Sequence, residues 1–224
     1  DRRLLLENKE EIVKYTDRNK SLYQEIYAVL KKAKDFEKRH DALYKTRMNT
    51  EAIQKWLEEF IKSLIPGNQK PDAPNHHRWC RVAAPQGMVS FFDEVRALAK
   101  SCHCLLTKER AYGSHILEQI ARQATSKGCT VWYYHDPYES DWLEAVYLPQ
   151  PAVLCWQSPT IAQEEKAQVH EIDKWFCKYI NRRNRLEAEF LLDAAQDARC
   201  KGQALLKENK EIHDELEKYY IRAM

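Results

Sequence analysis

The chain has 224 residues, 44% hydrophobic and 31% charged, so it can bury a core and is not a disordered tail. Its 36 Lys and Arg residues against 34 Asp and Glu leave a formal charge of +2, which gives no net electrostatic drive toward nucleic acid or an anionic membrane. No run approaches 18 apolar residues, so no membrane-spanning helix and no membrane insertion are expected. The seven cysteines are odd in number and scattered, which favours reduced thiols and a cytoplasmic setting over a disulfide framework.

Breakers are unevenly placed. All eight prolines fall between Pro66 and Pro159, together with four of the five glycines. The flanks therefore read as long helices and the middle as α/β. In chain order, residues 1–65 form a helical arm. Its first stripe carries Ile12, Ile26, Ala33 and His40 on one heptad position and Tyr15, Leu22, Val29, Phe36 and Leu43 on the other. Asn49-Thr50 reads as a restart, with Thr50 capping a second helix to Leu64 that is buried through Ile53, Trp56, Leu57, Phe60 and Ile61. Residues 66–77 read as a linker and residues 78–160 as the α/β core.

Within the core, strands are expected over 78–83, 102–107, 129–134, 145–148 and 152–156. Helices are expected from Gln86-Gly87 to Ala99 and over 114–126, the second ended by Lys127-Gly128. Strand, helix, strand at this spacing implies a right-handed βαβ unit and a partly parallel sheet. Residues 161–224 form a C-terminal helical arm. Ile172, Trp175, Phe176 and Tyr179 give its first apolar face, and Leu186, Phe190, Ala194, Ala198, Gly202, Leu205, Ile212, Leu216 and Tyr219 its second, with a bend or a turn near Asn181–Asn184. The arms share a frame of Lys, five residues, His-Asp, one residue and Leu, at Lys34–Leu43 and Lys207–Leu216. That raises a duplicated ancestor.

Ligands of α/β sheets bind at the C-terminal ends of strands. The segment that matters is therefore Lys108-Glu109-Arg110-Ala111-Tyr112-Gly113-Ser114-His115, between a strand and a helix. A phosphate loop of the form G-x-x-x-x-G-K-[ST] has glycines that let backbone N–H groups curl around phosphates, a Lys that reaches them and a hydroxyl that holds Mg²⁺. Here only Gly113 remains, and Ser114 and His115 stand in the Lys and hydroxyl positions.

Four stretches carry a resemblance. Ala83-Ala84-Pro85-Gln86-Gly87-Met88-Val89-Ser90-Phe91 is similar to an A-x-T-P-x-G-x-x-S-F opening, one residue short. Leu105–Leu117 stands where a G-x-P-G-x-G-K-S-T loop would. Gly128–His135 resembles G-Y-D-V-x-x-Y-H, and Asp141–Pro149 resembles D-x-L-D-x-V-I-I-P. By these the chain resembles a family of predicted P-loop ATPases, mostly of spore-forming Firmicutes, built from two tandem units that each end in long helices. The resemblance implies a degenerate P-loop NTPase-like core flanked by long coiled-coil-like arms. The chain would be a second unit, preceded by the helices that close the first. It implies ATP and Mg²⁺ as the cofactors to consider, although none is read from the residues. A strand-end acid of that family falls at about Cys155. Without the Lys and this acid, phosphoryl transfer loses its positioned charge and its Mg²⁺ partner.

The function expected is a non-catalytic, P-loop-like interaction or regulatory module. Its arms would meet a protein partner or a second copy, and nucleic acid is not expected. The alternative is a nucleotide-binding ATPase or phosphotransferase whose competence lies in an intact first unit. Binding without hydrolysis is a third reading. Residual nucleotide would meet Lys108, Arg110, Gly113, Ser114, His115 and His135. No catalytic residue and no metal site are read from the sequence. Cys102-His103-Cys104 reads as strand packing, since Cys102 and Cys104 share one face and His103 takes the other. His40 and His213, each followed by Asp, could suggest a metal-dependent phosphohydrolase. Adjacent helix residues point different ways and His40 lies on the apolar stripe, so packing is the reading taken.

Overall fold

The computed structural model describes residues 2–44, 49–65, 74–160, 167–175 and 181–224. It divides into two compact units. One comprises residues 1–37, 83–89 and 189–224, and the other residues 38–82 and 90–188.

The second unit holds the sheet. Its elements are the C-terminal end of α2 (Lys9–Tyr44), then α3 (Thr50–Leu64), β1 (Asn75–Arg78), α4 (Phe92–Ala97), β4 (Ser101–Leu106), α5 (Arg110–Ser126), β5 (Val131–His135), β6 (Leu143–Leu148), β7 (Val153–Ser158) and β8 (Gln168–Glu171). A hairpin of β2 (Arg81–Ala84) and β3 (Gly87–Ser90) is a separate two-stranded sheet. The six-stranded order is β1-β5-β6-β7-β4-β8. Only β6 runs against its neighbours; the β1–β5, β7–β4 and β4–β8 pairs are parallel. The chain is thus α/β with a mixed, mostly parallel sheet. Among the described residues, no helix is long and apolar enough to cross a membrane.

Period-two alternation divides the strand residues between two apolar layers. Leu105, Val146, Leu148, Val153 and Cys155 face α3 and α5, where Ile53, Leu57, Phe60 and Ile61 meet Ile116, Leu117, Ile120 and Ala124. Cys104, Ala145, Tyr147, Leu154 and Trp156 face the other way, with Val95 and Phe92 of α4. Cys102 and Cys104 share this second layer, while His103 lies on the opposite face against Phe60 and His170, as alternation requires.

The helix and strand core follows the sequence closely, but five details differ. The single strand expected over 78–83 is two strands in different sheets, β1 and β2, and β1 begins inside the expected linker, whose residues 66–73 lie outside the described residues. The cap of α3 is Asn49, whose side chain accepts from Ala52 N at 3.1 Å. Pro85-Gln86-Gly87 does not open a helix. Gly87 adopts φ +125°, a conformation that suits glycine and turns the chain into β3, so the helix is only Phe92–Ala97. The segment read as the start of the last helix contains β8 and a 3-10 turn, Asp173–Trp175. β8 is a mostly exposed four-residue edge strand with little β-branched content, so it carries no strand signal. The long helix α6 begins at Arg182, where the Asn181 side chain accepts from Asn184 N at 2.8 Å. Phe176, Tyr179 and Cys177 lie outside the described residues.

The first unit contains parts of α2 and α6 (Arg182–Ala223), preceded by the short α1 (Arg2–Glu7). The two long helices run antiparallel: Arg18 pairs with Glu208 at 2.6 Å, Lys201 with Glu25 at 3.8 Å and Arg199 with Glu37 at 2.5 Å. Leu22, Ile26, Val29 and Ala33 are buried, as the heptad spacing predicts. On α6 the buried face is displaced at its start. Ala188, Leu191 and Ala195 are buried, whereas Leu186 and Phe190 are exposed. Gly202 is a contact point, since an added Cβ would stand 2.7 Å from Leu30 Cδ2.

Two predictions follow from burial. Glu37 is nearly enclosed, so Arg199→Met should destabilise by about 2 kcal/mol or more, and Glu37→Leu/Arg199→Met should recover most of it, read by urea unfolding. His103 has its pKa lowered from 6.5 to about 4, by burial first and by His170 second. The unfolded chain therefore takes up this proton first as pH falls. The contribution is complete above about 6.5 and is lost as pH drops toward 4. The stability gap between wild type and His103→Gln should shrink by on the order of 2 kcal/mol between pH 7 and 4.5. A gap independent of pH would refute it.

Candidate functional site

The C-terminal edge of the parallel strands gathers the segment singled out from the sequence. β4 ends at Leu106 and α5 starts at Arg110, so the connection is only Thr107-Lys108-Glu109. Gly113, Ser114 and His115 are helical and do not form a loop. Thr107 Oγ1 accepts from Glu109 N at 3.0 Å, and Thr107 N donates to Ser158 O at 2.9 Å, which closes the turn onto β7.

Helix N-termini carry orphan N–H groups and a partial positive charge, the features that bind phosphate where a loop opens around it. Here the chain supplies its own carboxylates. Ala111 N donates to Asp41 Oδ2 at 3.2 Å, and Lys108 N donates to the Asp173 carboxylate at 3.2 and 3.3 Å. Tyr112 N and Gly113 N turn back to Glu109 O at 3.1 and 2.9 Å.

Gly113 and Ser114 are buried. A Cβ on Gly113 would stand 2.2 Å from Gln157 Oε1 and 3.0 Å from Thr107 Cγ2. Gln157 is held there by donating Nε2 to Leu143 O at 2.5 Å, while Ser114 Oγ accepts from Leu143 N at 2.8 Å. Glycine is therefore kept at 113 by helix-to-strand packing and not by a phosphate. Arg110 is drawn sideways into an ion pair with buried Asp136, its guanidinium 5.9 Å from the Trp142 ring centroid. Lys108 and His115 are exposed. His135, at the end of β5, contacts His77 at 2.8 Å and the Ser140 carbonyl at 2.5 Å, and its ring lies beside Trp79. Burial is the main cause that lowers its pKa. Cys155 is fully buried in the middle of β7, not at a strand end, and burial raises its thiol pKa.

Three residues that carry the junction were not singled out for it by the sequence: Asp173, Gln157 and Glu109. Asp41 was weighed only with its neighbour His40. His40 is buried, as packing predicts, yet its ring and the Asp41 side chain converge, with Nδ1 3.1 Å from Asp41 Oδ1. Glu109 is also buried, and its Oε2 lies 3.6 Å from His40 Nδ1. Burial, and then the Asp41 carboxylate, push the Glu109 pKa well above the ordinary carboxylic range. In the second copy of the His-Asp frame, His213 is exposed and faces Glu217 at 3.5 Å. Beside the junction lies a cleft of about 710 Å³, whose charged lining includes Lys38, Asp41, Glu109, Glu118 and Asp141.

No protein-family model, no curated protein and no solved structure matches the chain.

Gly113→Ala should destabilise by about 1–2 kcal/mol, since the overpacking penalty outweighs the gain in helix propensity. Adding Gln157→Ala should make the second Gly113→Ala change neutral or favourable. Denaturant midpoints of the four variants in the cycle measure this, and equal costs in both backgrounds would refute the packing account.

Proposed function

We propose that this chain is a non-catalytic interaction or regulatory module whose α/β core is of the P-loop ATPase kind. The observation that carries the reading is the pair of carboxylates at the β4–α5 junction. Asp41 and Asp173 accept from the backbone N–H groups that a phosphate would need. A phosphate arriving there would have to displace charge-assisted hydrogen bonds, each contributing about 1.5–3 kcal/mol. It would also meet a cleft whose described lining sets Asp41, Glu109, Glu118 and Asp141 against Lys38. Two of the residues expected to hold nucleotide are spent elsewhere. Arg110 is paired with Asp136, and Ser114 accepts from Leu143 N.

The interaction side of the proposal rests on the helical unit. Tyr23 and Tyr27 stack one turn apart on α2 with ring centroids 6.4 Å apart, and Tyr27, Phe190 and Ile221 are each about two-thirds exposed. Large apolar side chains in such number suit a protein partner or a second copy.

Thermal denaturation in Mg-ATP, Mg-GTP and the diphosphates, each against Mg²⁺ alone, tests the non-catalytic reading. Occupancy at 100 times Kd stabilises by about 2.7 kcal/mol, a readily measured rise in Tm. The expected outcome is no nucleotide-dependent shift up to millimolar concentration. A shift that Asp41→Ala and Asp173→Ala enlarge would overturn the proposal in favour of the nucleotide-binding alternative.

A further inference from the structure

The convergence of His40, Asp41 and Glu109 has a chemistry that neither packing nor the carboxylates' hold on α5 accounts for. His40 Nδ1, a carboxylate oxygen of Asp41 and one of Glu109 all lie within 4.8 Å of one another. His40 and Glu109 are buried and Asp41 nearly so. Glu109 Oε2 is enclosed and has no hydrogen-bond partner among the described residues. An unsatisfied carboxylate oxygen in such a place costs several kcal/mol, the more so with a second carboxylate beside it. A native structure keeps such an atom where something else satisfies it.

We propose that His40, Asp41 and Glu109 bind a divalent first-row transition-metal ion, with its open coordination position toward the adjoining cleft.

The distances fit. A tetrahedral ion with bonds of about 2.0–2.1 Å has ligand-to-ligand edges of roughly 3.3–3.4 Å. The observed edges from His40 Nδ1 are 3.1 Å to Asp41 and 3.6 Å to Glu109. The ligands are positioned beforehand. Asp41 offers Oδ1 to the cluster while Oδ2 is fixed by Ala111 N, the outer hydrogen bond that ligating carboxylates ordinarily have. One imidazole with two carboxylates selects Zn²⁺, Co²⁺, Fe²⁺ or Mn²⁺ over Ca²⁺, which takes oxygen ligands alone. Three protein ligands leave a position for water or a ligand atom. Asp41 and Glu109 themselves line the cleft, so an ion held by them is reachable from it. The inference does not depend on whether nucleotide binds.

Co²⁺ titration of the chelator-treated full chain provides the test, because its spectrum separates a nitrogen and oxygen site from adventitious cysteine binding. The expected result is one equivalent bound at micromolar Kd or tighter, with a weak visible d–d band, no thiolate charge-transfer band, and displacement by Zn²⁺. Glu109→Gln and His40→Gln should each weaken binding at least ten-fold, and His213→Gln should leave it unchanged. Glu109→Gln keeps the shape and removes a like charge, so it answers even where His40→Gln fails to fold, as circular dichroism would reveal. Three results overturn the proposal: no saturable binding, binding only with thiolate charge transfer, or an affinity that Glu109→Gln leaves within two-fold.

Discussion

Asp41 and Asp173 present carboxylates to backbone N–H groups around the start of α5, and much of the α/β unit is arranged by that contact. One comes from the end of α2 and the other from the turn after β8, 70 and 65 positions away from their respective donors. The helix macrodipole favours negative charge at this end, and orphan N–H groups need partners wherever water is excluded. With its start held, α5 buries Ile116, Leu117, Ile120 and Ala124 against the sheet and α3. The same turn after β8 sends Asn49 N to the Trp175 carbonyl at 3.0 Å, so the start of α3 is tied to the strand edge that holds α5.

This closure decides what the junction can do. A phosphate loop must stand away from its strand so that its N–H groups face a cavity. Here the connection is too short to stand away, and α5 begins three residues before Gly113. Gly113 meets Gln157, Ser114 meets the β6 backbone, and Arg110 meets Asp136. These three positions are engaged within the unit's own structure, while Lys108 and His115 stay exposed.

Much of the fold is legible in the sequence, for a physical reason. α3, α5 and the four strands from β4 to β7 are buried, and burial imposes the periods of 3.6 and 2 that a reader can find. β8 is an exposed edge strand, so its residues obey no such constraint. The displaced face of α6 misleads because two of its buried residues are alanines, which carry a weaker apolar signal than the exposed Leu186 and Phe190. Leu186 and Phe190 attract attention while Ala188, Leu191 and Ala195 are buried. The site is legible by position, since strand ends are where ligands bind, but not by composition. Asp41, Glu109 and Asp173 are ordinary acids in the sequence. Only the tertiary arrangement brings them together, and adjacency in the helix pointed away from the meeting of His40 with Asp41.

Electrostatics ties the plugged junction to the cluster beside it. A carboxylate that satisfies α5 must bring a negative charge into a partly enclosed place, and Asp41 does so next to buried Glu109. Two carboxylates at such range cannot both be ionised cheaply in low dielectric, so one must hold a proton or a cation must join them. The exposed amine of Lys108 and the ring of His40 supply part of that charge, the first through solvent and the second only when protonated. A divalent ion supplies all of it at the one point that both oxygens and the imidazole face. It would also reverse the sign of the field at this end of the cleft, so that any anionic ligand would have to follow the ion rather than precede it.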